Sequence, residues 1–172
     1  MQQFLKVFVD IVLWRRGPQD LPCSMLLVAA TLAAYMLVSV LQLAFMHESG
    51  PAYLVFLVLD PLLLMGWIWI VLKVYGRVER YPQTIAAILG TSALLALVLS
   101  LPLQLLVGVD AARTASPAAQ ILALGLILVF LLVSGRIVKL ATDSNLFAGI
   151  CVSAIYVFVL NAIASRLVPV GS

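Results

Sequence analysis

The chain has 172 residues, 65% of them hydrophobic and 10% charged, with a mean hydropathy of +1.20 and a formal net charge of +3. A soluble domain of this length does not carry so much apolar surface, and the long apolar stretches leave no room for one. The small basic excess is spread beside those stretches rather than gathered in a patch, which argues against a nucleic-acid surface and reads as a membrane-topology signal.

Residues 1–16 open the chain with an apolar run interrupted by Lys6 and Asp10. The run is too short to cross a bilayer. Gln3, Lys6 and Asp10 form a narrow polar stripe, and Phe4, Leu5, Phe8, Ile11, Val12 and Trp14 cover much of the rest. The pattern predicts an amphipathic helix lying in the membrane interface, with Lys6 and Asp10 paired across one turn. Arg15 and Arg16 close it, where bases suit both a helix C-terminus and anionic headgroups. Asp10 within the run and the lack of an A-x-A site argue against a cleaved signal peptide. Residues 17–22 carry two prolines and form a turn into the bilayer, with Asp20 expected to cap the next helix.

Five apolar spans follow, at about residues 22–45, 51–72, 83–107, 117–135 and 146–167. Each matches the ~20 residues needed to cross a ~30 Å hydrocarbon core. Ala29 and Ala33 in the first, and Ala86 and Gly90 in the third, are small residues four apart that let helices approach closely. Trp67, Trp69, Tyr75 and Tyr81 read as an interfacial aromatic belt. Pro102 is expected to kink the outer part of the third span. Asp143 or Ser144 is expected to cap the fifth span, in which Asn145, Gly149, Ser153 and Asn161 recur at multiples of four as one seam. The fold class is therefore all-α: a polytopic membrane bundle of five transmembrane helices, preceded by an amphipathic interfacial helix, forming a single membrane domain.

Basic residues set the orientation. Lys6, Arg15, Arg16, Lys73, Arg77, Arg80, Arg136 and Lys139 fall on one side, and Arg113 and Arg166 on the other. The positive-inside rule then places the amino terminus in the cytoplasm and the carboxyl terminus in the periplasm, as five spans require. Arg15, Arg16, Lys73, Arg77, Arg80, Arg136 and Lys139 make up a candidate cytoplasmic face for anionic lipid or a partner.

The most informative local feature is Asp60-Pro61, in the middle of the second span. Asp60 is ~15 Å along that helix, close to the midplane. A carboxylate there costs roughly 2.5–3.5 kcal/mol on insertion scales. Pro61 removes one helix N–H and crowds the carbonyl of Leu57. None of the ten Lys and Arg residues lies at that depth, so Asp60 is expected to be kept neutral by desolvation or to face a partner's cation. Its role is either a proton, ion or polar-ligand site or a hydrogen-bonded packing device.

Gln42, Gln104, Gln120 and Asn161 each lie ~5–9 Å inside the outer end of their own span. Together with Asp60 they form either a small outward-facing polar pocket or a layer of interhelical hydrogen bonds worth ~0.6 kcal/mol each. The lone His47 has no partner at metal-ligand spacing, and Cys23 and Cys151 form no CxxC pair. Walker loops, GxSxG, HExxH and paired catalytic carboxylates are all lacking, so neither a cofactor nor an enzyme activity is expected.

The turn at residues 17–22, followed by five spans in ~170 residues, resembles bacterial members of the Yip-domain family. The stretch PQTIAAILGTSALLALVLSLP at residues 82–102 is similar to that family's third span. Eukaryotic relatives carry an Asp-Leu-Tyr-Gly-Pro signature, and here only Asp20-Leu21-Pro22 stands near that position, so GTPase binding does not carry over. The resemblance implies a non-enzymatic membrane protein that associates with other membrane components. The expectation is an accessory or scaffolding subunit of a bacterial inner-membrane assembly, in contact with lipids and other integral subunits. The alternative is a small transporter, or an ion- or proton-translocating protein that uses Asp60.

Overall fold

A computed structural model describes residues 2–46, 51–103 and 117–167, and the side chains of residues 6–44, 53–103 and 120–166. Gln104 and His47 lie outside the described residues. The described chain is all helical: α1 (Gln2–Val12), α2 (Met25–Met46), α3 (Pro51–Val74), α4 (Tyr81–Leu95), α5 (Pro117–Thr142) and α6 (Leu146–Leu167). Five helical segments are long and apolar enough to cross a membrane: one each in α2, α3, α5 and α6, and Val78–Leu103, which contains α4 and its helical continuation. This makes the chain a multi-pass membrane protein and an all-α bundle.

The third span is the centre of the bundle. Residues 84–89 of α4 are all buried, Ile85 and Leu89 completely, because α1, α2, α3 and α5 all pack around this helix. Its small residues permit that crowding. Gly90 takes the ring of Phe8 from α1, and a Cβ at Gly90 would fall 2.3 Å from Phe8 Cε1. The apolar face of α1 is thus packed on α4, with Ile11 buried in the common core. Beyond Leu95 the helix widens into a π turn at Ala96–Ser100, in which the Leu101 N–H reaches back to the Ala96 carbonyl. Pro102 lacks the N–H that the regular pattern requires two residues later, and the widened turn sits directly before it.

α5 and α6 approach backbone to backbone. A Cβ on Gly149 would lie 2.1 Å from the Gly135 carbonyl oxygen, and one on Gly135 would lie 2.9 Å from the Ile150 nitrogen. Two glycines facing each other make this the closest crossing, as small residues do between membrane helices.

Three helices end on a left-handed residue: α1 at Trp14 (φ 65°), α3 at Gly76 (φ 68°) and α5 at Asp143 (φ 54°). In each, the next residue's N–H bonds back five residues: Arg15 to Asp10, Arg77 to Leu72 and Ser144 to Lys139. These are Schellman closures. Gly76 adopts the conformation freely, whereas a side chain there costs roughly 1–2 kcal/mol.

Several local expectations are corrected. Asp10 pairs with Arg16, 3.5 Å away, and not with Lys6, because the closing turn folds Arg16 back over the helix end. Asp20 accepts the Gly17 N–H at 2.8 Å and closes its own turn, so it does not cap α2, which begins five residues later. Asn145, rather than Asp143 or Ser144, caps α6 by accepting the Ala148 N–H at 2.7 Å. α5 continues past Gly135 to Thr142, carrying Arg136 inside the helix.

Candidate functional site

Asp60 is met from two sides. Tyr35 of α2 donates its hydroxyl to Asp60 Oδ2. Tyr156 of α6 donates to Asp60 Oδ1 at 2.7 Å and lies 3.2 Å from the Asp60 backbone carbonyl. One carboxyl group thus ties the first, second and fifth spans together, partway along the second. Pro61 follows within the same helix and is buried. Two phenolic O–H groups give the Asp60 carboxyl hydrogen-bond partners within the chain, as a polar group among apolar helices requires.

Tyr35 also lines a cavity of about 280 Å³ between α2, α4 and α5. Its polar wall is Ser39, Gln42, Ser92 and Ser100; Leu126, Phe130 and Val157 are among its apolar walls. Gln42 Nε2 donates to Ser100 Oγ at 2.8 Å, across to the π turn of α4. Ser39 donates back to the Tyr35 carbonyl at 2.9 Å. A mostly apolar space with four polar side chains in its wall therefore adjoins Tyr35.

The expected layer of amides is not brought together. Gln42 joins this cavity, but Gln120 is exposed at the start of α5 and Asn161 is exposed on α6. Asn161 Nδ2 bonds only to its own helix, at the Val157 carbonyl, 2.8 Å away. The seam reading failed for a geometric reason. At ~100° per residue, a step of four drifts by ~40°, so Asn161 is turned by ~160° from Asn145. Gly149 and Ser153 are buried, while Asn145 and Asn161 at the two ends of the row are exposed.

At the basic end, several bases serve the fold. Arg80 donates to the carbonyls of Leu140 (3.2 Å) and Ala141 (3.3 Å), which end α5, and pairs with Asp143 at 3.0 Å. Arg77 pairs with the same carboxylate at 2.9 Å. Arg80's hydrogen bond is the main cause that holds Asp143 below the usual carboxylate range, with the charges of Arg80 and Arg77 adding to it against some desolvation. Arg136 donates to the carbonyls of Trp14 (2.7 Å) and Ile11 (3.4 Å), closing the end of α1. Lys73 lies over the Trp69 ring at 4.7 Å. The side chains of Arg15 and Lys139 make no hydrogen bond or ion pair among the described residues, and Arg16 is half exposed beside Asp10. The face is basic, but Arg77, Arg80 and Arg136 are anchors of helix ends. The belt is mixed as well: Trp69 and Tyr75 are exposed, whereas Trp67 packs against the core.

Tyr35 and Tyr156 are the site residues that sequence reading missed. Their one legible signal was a hydroxyl placed well inside an apolar span. Compared with known proteins, the chain matches no family model, no curated protein and no solved structure.

Proposed function

We propose that this chain is a non-enzymatic accessory or scaffolding subunit of a bacterial inner-membrane assembly, with its amino terminus in the cytoplasm. One observation carries the reading: the third and fourth spans are buried toward one end and exposed toward the other. Near the basic end, Ile85, Leu89, Ile137 and Ala141 are at most 1% exposed. Further along the same two helices, residues 97–99 of the π turn and residues 120–124 of α5 are exposed in unbroken succession. Five consecutive exposed positions pass right around a helix and three pass around about half of it, whereas a helix packed on its neighbours exposes only a stripe. A membrane helix from another subunit fits such an opening.

Other features agree with this reading. The described connections between spans, residues 75–80 and 143–145, are short and offer little soluble surface themselves, which suits partners that meet the chain within lipid. The turn at residues 17–22, the Arg77–Arg80 connector and the Asp143 turn gather at one end, where Gln83 Nε2 reaches the Leu21 carbonyl and Arg80 reaches Leu140. The positive-inside rule makes that end cytoplasmic. The resemblance to the Yip-domain family points the same way, toward association with other membrane components.

The test places a photo-crosslinking residue at Val98 or Leu122 in living cells. Discrete crosslinked products from these positions, and none from Val74 at the basic end, are expected. Crosslinks to lipid alone from all three positions would refute the lateral interface.

A further inference from the structure

We infer that Asp60 is a reversible proton-binding site, loaded through Tyr35 from the cavity beside it. The geometry contains what such a site needs. Tyr35 stands between cavity and carboxylate: it lines the first and donates to the second. The cavity is polar at Ser39, Gln42, Ser92 and Ser100 and, at about 280 Å³, has room for several water molecules. Tyr156 holds the opposite oxygen of the carboxylate.

Both protonation states keep every hydrogen bond. In the ionised state the two tyrosines donate to Oδ2 and Oδ1. To load the site, hydronium in the cavity gives a proton to the Tyr35 oxygen as Tyr35 passes its own to Oδ2. One O–H bond forms on Asp60, Tyr35 is regenerated and hydronium becomes water. Oδ2–H then donates to the Tyr35 oxygen, and the Tyr35 hydroxyl turns to the cavity. Tyr156 stays on Oδ1 or moves to the Asp60 carbonyl, 3.2 Å away. No polar group is stranded in either state, which lowers the difference in cost between the two forms of a buried acid.

The groups facing Asp60 allow the exchange. α2 contributes Tyr35 and α6 contributes Tyr156. The one ionisable residue in α4 is Tyr81, whose hydroxyl points to the Met65 carbonyl. No Lys, Arg or His forms an ion pair with Asp60 among the described residues. A fixed cation would hold the carboxylate permanently charged, and none is in place.

The test is infrared difference spectroscopy of the full chain in liposomes, recorded through a pH jump. A carboxyl C=O stretch should appear on acidification, vanish on return and be missing in Asp60→Asn. Tyr156→Phe should shift that band in frequency by removing one bonding partner. Tyr35→Phe and the cavity-filling Ser92→Leu should slow its appearance about tenfold, the effect of ~1.4 kcal/mol on the barrier. Tryptophan fluorescence melts establish that each variant is folded. A carboxyl group that keeps one protonation state at every pH would overturn the proposal, as would loading at the same rate in Tyr35→Phe and Ser92→Leu.

Discussion

Arg136 and Trp14 hold each other across 122 residues of chain. The guanidinium donates to the Trp14 carbonyl at 2.7 Å and lies 5.2 Å from the centre of its ring. Trp14 occupies a left-handed conformation that a bulky residue adopts at a cost, and Arg136 offsets that cost with a charged hydrogen bond and a ring contact. A charged hydrogen bond of this kind is worth roughly 1.5–3 kcal/mol. Arg136→Gln should therefore loosen α1 without unfolding the five long helices. A spin label at the exposed position 6 should become more mobile, and the circular dichroism spectrum should keep its helical intensity. A label that stays as immobile as in the wild type would show that Phe8 on Gly90 suffices to dock α1.

The α5–α6 crossing makes a sharper contrast between glycines. Gly149→Ala puts a methyl group into the Gly135 carbonyl, which is backbone and unable to move aside. The expected loss is about 1–3 kcal/mol or more, seen as a lower unfolding midpoint in detergent. Nothing lies within 4 Å of a Cβ at Gly66 or Gly125. Alanine at either position should be neutral or should stabilise by up to about 1 kcal/mol through helix propensity. Equal effects at all three positions would remove the close crossing from the account.

Asp143 sets a pH dependence at the basic end. Its carboxyl titrates below the usual range, so the stability it contributes is present above the unfolded-state value of ~3.9 and is lost as pH falls through the lower folded-state value. The pair is exposed, so the effect is small and screened by salt. Asp143→Asn keeps a residue that tolerates left-handed φ while removing the charge. The unfolding midpoints of wild type and variant should differ at neutral pH and low salt, and converge on acidification. A gap that persists in acid would mean that Asp143 acts through something other than its charge, and no gap at any pH would mean that Arg80 holds the end of α5 through the carbonyls alone.

Topology is tested by fusion. A periplasm-active reporter joined after Ser172 should be active, and one inserted at residues 77–80 should be silent. The reverse pattern would invert the assignment of the basic end.

The spans were legible in the sequence because hydropathy acts through length and composition, which the chain displays directly. The importance of the third span was visible in part, in Ala86 and Gly90, since small residues announce close packing whatever the partner. Side-chain pairing was not legible. Tyr35 and Tyr156 lie 25 and 96 residues from Asp60, and only the bundle's topology brings their hydroxyls to it. Arg136 counted as a topology marker because nothing local shows that Trp14 ends a helix beside it. For Gln42 and Asn161 the position along the span does not by itself fix the face. The drift of an α-helix against a four-residue repeat turned Asn161 away from the row it seemed to join.

The central claim is that this bundle is a subunit of a larger membrane assembly. Native mass spectrometry tests it most directly, on the chain purified from its own membranes in gentle detergent. The account predicts a stoichiometric complex with one or more further membrane proteins, weakened by charged substitutions at Val98 and Leu122 and unaffected by one at Val74. A chain that runs as a monomer carrying only lipid, whatever the detergent, would contradict it.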